Sequence, residues 1–153
     1  MLKEGDQAPN FILRDSANNN VSLSSFVGKN VVIYFYPKDN TPGCTLEAQD
    51  FSGLIGEFAK KETVVIGISK DTPDCHKNFI DMYDLKVILL ADIDTKTCND
   101  YGIIGTKKMF GKEYQGINRT TFLIDKNGFI ANVWNDVKIT NHANDVLNFI
   151  DSL

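Results

Sequence analysis

The feature that most constrains the fold is residues 31–36, where β-branched and aromatic residues follow one another without a polar break. Such a run is typical of a strand that is covered on both faces, as in a parallel sheet with helices on either side. Pro37 ends this strand. Thr41 and Pro42 have the residue types of a helix N-cap and a first helical position, which places Cys44 in the first turn. The sequence therefore predicts a cysteine at a helix start directly after a buried strand.

Strands and helices alternate along the rest of the chain. Apolar runs and turn residues predict further strands at residues 11–13, 21–23, 63–69, 87–90, 121–125 and 129–133. Helices are predicted to follow Thr41, Thr72 and Asp94, and a last helix closes the chain. The first is expected to continue through residue 58, because four apolar residues recur on one helical face: Phe51, Leu54, Ile55 and Phe58. This order predicts an α/β, thioredoxin-like fold with an N-terminal β-hairpin and a mixed central sheet flanked by helices.

Length, composition and charge limit the class of protein. A chain of 153 residues, 42% hydrophobic and 24% charged, has the size of a single domain, residues 1–153, with one sizeable core. The net charge is −4 and no basic run is longer than Lys107-Lys108, so neither nucleic acid nor a membrane surface is an expected partner. The N-terminus has no apolar signal core. We therefore expect a soluble, cytoplasmic protein.

Cys44 is the residue at which reactive chemistry is expected. The N–H groups of a first helical turn and the positive end of the helix dipole stabilise an anion, which favours the nucleophilic thiolate. Gly43 leaves space beside the sulfur. The alternative is a cysteine that only packs helix against sheet, but packing does not require the turn that precedes Cys44. Cys44, Cys75 and Cys98 match no Cys-x-x-Cys or zinc-ligand spacing, and we expect reduced thiols.

Residues 34–47, Tyr-Phe-Tyr-Pro-Lys-Asp-Asn-Thr-Pro-Gly-Cys-Thr-Leu-Glu, closely resemble the active-site signature of the peroxiredoxins. Within them the chain is similar to the bacterioferritin comigratory protein group, also called peroxiredoxin Q. The similarity continues at residues 67–71, 90–92, 107–114 and 119–128. The resemblance implies a thiol peroxidase without a cofactor, which reduces hydrogen peroxide and organic hydroperoxides. It also implies recycling by thioredoxin or a similar dithiol donor, and a monomer or weak homodimer.

The resemblance further implies roles for four residues. Cys44 corresponds to the peroxidatic cysteine, and Arg119 to the guanidinium beside its thiolate. Thr41 corresponds to the hydroxyl that contacts the cysteine and the peroxide, and Pro37 to the shield of the pocket. Arginine suits its position because it stays charged and offers several donors in a fixed fork. Thr41 can serve as a helix cap as well, while Glu47 can hold the helix start, orient Arg119 or simply favour the helix dipole.

The chain departs from the group at the recycling step. Many members carry a second cysteine five residues after the first, where this chain has Gln49. Cys75, in the helix after Thr72, is the candidate that would resolve a sulfenic acid at Cys44, and Cys98 is the weaker candidate. A Cys44–Cys75 disulfide would require local unwinding of the helix around Cys44. Both candidates can instead belong to core faces, and then a one-cysteine enzyme reduced by an external thiol is expected.

Two other functions compete with a peroxidase. In a redox sensor, Cys44 would be oxidised and a partner would respond to the change, without turnover. A dithiol oxidoreductase is disfavoured because no cysteine lies three residues from Cys44. His76 and His142 are far apart and supported by few other ligands, so they do not suggest a metal site, and we expect both to be solvated.

Overall fold

The structure, a computed structural model, describes residues 2–153, which form nine strands, five α-helices and one short 3-10 helix. The strands are β1 (Ile12–Asp15), β2 (Asn20–Ser22), β3 (Asn30–Phe35), β4 (Thr63–Ser69), β5 (Ile88–Ala91), β6 (Ile104–Met109), β7 (Lys112–Ile117), β8 (Thr120–Ile124) and β9 (Ile130–Trp134). The helices are α1 (Pro42–Gly53), α2 (Ile55–Lys60), α3 (Pro73–Tyr83), α4 (Lys96–Asp100) and α5 (His142–Ile150), and the 3-10 helix is Leu23–Phe26. None of these helices has the length and apolar character needed to cross a membrane.

Seven strands form one mixed sheet in the order β2-β1-β5-β4-β3-β8-β9. The three central strands β3, β4 and β5 are parallel, and the outer strands on both sides pair antiparallel. This sheet and the β1-β2 hairpin confirm the predicted thioredoxin-like α/β fold. Because β3 and β4 are parallel neighbours, the helices that follow them, α1 and α3, begin at the same edge of the sheet. Cys44 and Cys75 lie in the first turns of these two helices.

Strand β3 shows how the sheet divides the interior into two cores. Successive side chains of a strand point to opposite faces, and all six residues of β3 are buried. Val32 and Tyr34 belong to a core shared with α1, α2, α3 and α5. Val31 and Ile33 belong to a second core on the other face, which includes residues of α4 and the 3-10 helix. An unbroken apolar run is therefore the pattern that this position requires.

The continuous first helix predicted from apolar periodicity is wrong. The chain leaves the helix at Leu54, whose N–H bonds to the carbonyl of Phe51 only three residues earlier, and α2 begins at the next residue. Gly53 and Gly56 flank the break, and glycine is a poor helix former. Phe51 and Phe58 still enter the same core, which explains why the periodicity continues across the break.

Two further differences concern the second half of the chain. The helix predicted from Asp94 is shorter and comprises only Lys96–Asp100. Strands β6 and β7 form a separate antiparallel hairpin that the apolar pattern did not predict. Most of its side chains are exposed on both faces, so it lacks the alternation of apolar and polar residues by which strands are recognised.

Candidate active site

Cys44 is the third residue of α1, and its side chain is buried, with 1% of the residue exposed. Thr41 occupies the N-cap with extended backbone, and Pro42 is the first helical residue, as predicted. The Thr41 hydroxyl does not cap the helix, because it donates to the carbonyl of Lys38 at 2.9 Å and makes no cap hydrogen bond. The N–H groups at the helix start are therefore not occupied by this side chain. They remain donors for an anion at the sulfur.

Arg119 lies between β7 and β8 and connects two groups of α1. Its Nη2 donates to Cys44 Sγ at 3.3 Å, and its Nη1 donates to Glu47 Oε1 at 2.6 Å. Burial by itself lowers the pKa of Arg119, but Glu47 and Cys44 outweigh this effect and hold that pKa above its ordinary value. The guanidinium therefore stays protonated beside the sulfur.

Glu47 is the most deeply buried acidic group at this site, with 1% of the residue exposed. Its Oε1 accepts from Arg119, while Oε2 is buried and has no hydrogen-bond partner among residues 2–153. Burial raises the pKa of Glu47 to about 7, the charge of Arg119 opposes this rise, and Asp50 adds to it. Of the roles open to Glu47 in the sequence, the structure supports the orientation of Arg119.

Gly43 and Ile139 shape the space beside the sulfur. A Cβ atom at Gly43 would lie 3.2 Å from Ile139 Cδ1 and 3.4 Å from Arg119 Nη2, so the residue next to Cys44 has little room for a side chain. Pro37 is partly buried in the turn between β3 and α1. The sequence did not indicate Ile139, since it lies in an irregular segment far from Cys44 in the chain.

The other two cysteines occupy very different environments, and all three are free thiols. Cys75 is exposed at the third position of α3, where its N–H donates to Thr72 Oγ1 at 3.2 Å. The alternative in which Cys75 belongs to a core face is therefore wrong. Cys98 is buried in the core opposite that of Cys44, and burial, followed by the effect of Asp92, raises the pKa of its thiol. The sheet separates Cys98 from Cys44.

The site thus has a buried cysteine at a helix start with an arginine on its sulfur. The sequence of the chain also matches a known protein family. Residues 4–133 match the model of the AhpC/TSA family. The chain belongs to the AhpC/TSA family. It is 42% identical to peroxiredoxin Bcp of Bacillus subtilis, over 95% of this chain and 93% of the relative. It is also 42% identical to peroxiredoxin Bcp of Escherichia coli, over 97% of this chain and 96% of the relative.

Solved structures of this AhpC/TSA group have the same fold. The bacterioferritin comigratory protein of Xanthomonas campestris, studied for alkyl peroxide reduction, superposes with a TM-score of 0.89 at 37% identity, covering 93% of this chain and 90% of that one. PrxQ of Xylella fastidiosa gives a TM-score of 0.94 at 33% identity, covering 99% and 97%. These likenesses confirm the resemblance to the peroxiredoxin Q group. The chain is a thiol-dependent peroxidase that acts on peroxide and takes electrons from a thiol reductant, and the sensor function is not favoured.

Both histidines of this peroxiredoxin are buried, so the expectation that they are solvated is wrong. His142 shares a hydrogen bond with Thr121 at 2.8 Å, and burial lowers the pKa of His142 to about 4. His76 is fully buried, with Nδ1 2.6 Å from Asp39 Oδ2 and Nε2 3.0 Å from the carbonyl of Leu90. In both cases the partners lie more than ten residues away in sequence, where no spacing rule would identify them.

Asp39, Asp71 and His76 are the group within residues 2–153 whose ligand atoms lie close enough together to hold a metal ion, within 4.8 Å of one another. Hydrogen bonds already engage these atoms. Tyr36 donates to Asp39 Oδ1 at 2.5 Å, and Ser69 donates to Asp71 Oδ2 at 2.7 Å. The 2.6 Å between His76 and Asp39 is a hydrogen-bond distance, shorter than the spacing of two ligands that are each about 2 Å from one metal. The group is therefore best described as a buried hydrogen-bond network.

Proposed function

We propose that this peroxiredoxin reduces hydrogen peroxide and organic hydroperoxides at Cys44 and is recycled through a Cys44–Cys75 disulfide. The observation that carries the proposal is the contact between Arg119 Nη2 and Cys44 Sγ, at 3.3 Å, at the start of a helix. A cation and a helix N-terminus both stabilise the thiolate, which is the nucleophilic form of cysteine. No cofactor takes part in the proposed cycle.

The first step is attack of the Cys44 thiolate on one oxygen of the peroxide. A sulfur–oxygen bond forms, the O–O bond breaks, and the second oxygen leaves as hydroxide or alkoxide and takes up a proton to give water or an alcohol. The sulfur is oxidised by two electrons to a sulfenic acid, and the peroxide is reduced. In this proposal Arg119, which contacts the sulfur, and the first-turn N–H groups donate to the oxygen on which charge develops.

Thr41 and Pro37 have supporting roles in this proposal. The Thr41 proton is engaged with the Lys38 carbonyl, so its oxygen presents lone pairs that can accept a hydrogen bond from the protonated oxygen of the peroxide. We assign to Pro37 the role of shielding the pocket from water, since it is partly buried and has no N–H group of its own.

The second step joins Cys44 to Cys75. The Cys75 thiolate attacks the sulfenic sulfur, a disulfide forms, and the oxygen departs as water after taking up a proton. Three observations support Cys75: it is exposed, its helix begins at the same sheet edge as α1, and it lies on the same face of the sheet as Cys44. Buried Cys98 lies on the opposite face. Cys44 becomes available when the first turn of α1 unwinds.

The remaining parts of the proposal concern the partner, the assembly and the location. A dithiol protein such as thioredoxin reduces the disulfide by attack on one sulfur, and the exposed Cys75 is the accessible one. We propose a monomer or weak homodimer. We place the protein in the cytoplasm, where such donors keep thiols reduced and where three free cysteines are ordinary.

The test is intact-mass analysis and peptide mapping of the reduced protein after one equivalent of hydrogen peroxide. Wild type is expected to lose two hydrogens and to yield a Cys44–Cys75 peptide. Cys75→Ser is expected to stop at a sulfenic acid on Cys44, which dimedone traps, and Cys44→Ser is expected to remain unmodified. Cys98→Ala is the matched control, because it removes a thiol from the other core, and it is expected to behave as wild type.

The outcomes separate the parts of the proposal. If Cys44 is oxidised no faster than Cys98, the assignment of Cys44 as the reactive residue is wrong. A sulfenic acid that persists in wild type, with no Cys44–Cys75 peptide, would refute the resolving step and leave a one-cysteine cycle. Repeated turnover with reduced thioredoxin, but not with glutathione alone, is the result expected for the proposed donor.

A further inference from the structure

A buried network ties the turn before Cys44 to the helix that carries Cys75. Asp39 lies five residues before Cys44, and His76 directly follows Cys75. The two side chains meet at 2.6 Å and are 6% and 0% exposed, respectively. The backbone N–H of Asp39 also donates to Asp71 Oδ2 at 2.8 Å, just before α3. The side chains of Asp39 and His76 are called the Asp39–His76 pair below.

Hydrogen bonding shows that the pair is fully satisfied. A carbonyl oxygen only accepts, so His76 Nε2 carries a proton and donates it to Leu90. A second proton lies between His76 Nδ1 and Asp39 Oδ2, and the other Asp39 oxygen accepts from Tyr36. Burial, then Tyr34 and Asp39, keep the pKa of Tyr36 well above its ordinary value, so Tyr36 stays a donor. Every polar atom of the pair has a partner.

Opening this pair would leave buried polar or charged groups without partners, which is far more costly than breaking exposed contacts. The chain between Asp39 and Cys44 is held much less firmly. Asn40 and Pro42 are exposed, Asn40 accepts an exposed hydrogen bond from Tyr83 at 2.8 Å, and the Thr41 hydroxyl bonds only to Lys38, three residues earlier. Unwinding for disulfide formation therefore begins after Asp39, not before it.

We propose that the Asp39–His76 pair is a positioning element of the resolving step, which stays closed while the first turn of α1 unwinds and holds Cys44 on a short tether beside Cys75. This inference rests on the proposed Cys44–Cys75 disulfide. Five extended residues span at most about 17 Å, and a disulfide requires Cα atoms within about 7 Å of each other. The tether is anchored one residue from Cys75, so the two sulfurs can meet without opening the pair.

The first test uses wild-type protein and compares amide hydrogen exchange and imidazole signals in the reduced and disulfide forms. The Asp39 amide and the His76 Nδ1 proton are expected to stay protected in both forms. The Thr45 amide, which bonds to the Thr41 carbonyl at 2.9 Å, is expected to lose protection in the disulfide form. Loss of protection at Asp39 together with Thr45 would overturn the proposal, because the pair would then open with the helix.

The second test separates the two chemical steps in variants. Asp39→Ala removes the side-chain anchor on His76 but keeps the backbone N–H bond to Asp71, and closure of the disulfide is expected to slow about threefold or more because the fixed end of the tether is loosened. Sulfenic acid formation, measured in a Cys75→Ser background, is expected to change less than closure does. Asp39→Asn is the rescue variant, since its amide can accept from Tyr36 and donate to His76. Lys77→Ala is the control, as it breaks an exposed pair with Asp81 on the same helix.

Three results would overturn the proposal: unchanged closure in Asp39→Ala, equal slowing of both steps, or equal slowing in Lys77→Ala. Failure of the proposed function looks different, because wild type itself would then yield no Cys44–Cys75 peptide. If Asp39→Ala does not fold, the exchange experiment on wild type still decides the matter.

Discussion

Replacing Glu47 by Gln is expected to change how the stability of this peroxiredoxin depends on pH. Glu47 is buried, and its pKa is raised from 4.5 to about 7, chiefly by burial. A group whose pKa is higher in the folded state stabilises the fold fully below its unfolded pKa, and this stability is lost as the pH rises through the folded pKa. Glu47 therefore lowers the free energy of unfolding progressively between about pH 4.5 and pH 7.

The rise in the pKa of Glu47 from 4.5 to about 7 determines how much the free energy of unfolding changes with pH. At about 1.4 kcal/mol per pKa unit, Glu47 makes wild type roughly 2 to 3 kcal/mol less stable at pH 8 than at pH 5. Gln does not ionise, and its carbonyl oxygen can still accept from Arg119 Nη1, so Glu47→Gln removes this component and keeps the hydrogen bond.

The assay is urea unfolding of the reduced proteins at several pH values between 5 and 8, followed by far-UV circular dichroism. The free energy of unfolding of wild type minus that of Glu47→Gln is expected to fall by roughly 2 to 3 kcal/mol between pH 5 and pH 8. Glu57→Gln is a suitable control, because Glu57 pairs with Lys60 on the exposed face of α2. A wild-type minus variant difference that is flat from pH 5 to pH 8 would refute the inference that burial holds a proton on Glu47.

Three further predictions concern activity and backbone strain. Arg119→Lys is expected to lower kcat/KM for hydrogen peroxide about 100-fold, as lysine cannot contact Cys44 and Glu47 together, and coupled peroxide consumption measures this. Gly43→Ala is expected to slow oxidation of Cys44 about tenfold in stopped-flow experiments, because the new methyl group would press on Ile139 Cδ1 at 3.2 Å and lie against the Arg119 guanidinium at 3.4 Å. Phe110→Asn is expected to raise the free energy of unfolding by about 1 kcal/mol in urea, without change in peroxidase activity, because Phe110 has a φ of 53° and is almost fully exposed.

Much of the fold follows from local sequence patterns. The runs at residues 31–36 and 63–69 could be recognised as interior strands because helices cover both of their faces. The start of α1 could also be predicted, since Thr41 stands at the N-cap position with extended backbone and Pro42 is the first helical residue, although the Thr41 hydroxyl makes no cap hydrogen bond. The break at Leu54 was not, because the apolar face continues across it, and the β6-β7 hairpin was not, because it buries little on either face.

The site could be predicted only as far as family resemblance and helix signals extend. Cys44, Thr41 and Arg119 were assigned from the motif that precedes the cysteine and from the residues before β8. The pairing of Glu47 with Arg119 spans 72 residues, and that of Asp39 with His76 spans 37. Such contacts depend on which strands become neighbours in the sheet, and neither periodicity nor spacing records this.

Among the thiols of this chain, solvent exposure does not follow the proposed reactivity: Cys44, the proposed reactive residue, is buried, and Cys75 is exposed. In the folded, reduced protein a bulky maleimide would react with Cys75 first, because Cys75 is exposed whereas Cys44 is 1% exposed and has Arg119 on its sulfur. Labelling with bulky maleimides would therefore make Cys44 look unreactive. Under the proposed mechanism a small oxidant would react with Cys44 first, so the size of the reagent would decide which of the two thiols is modified.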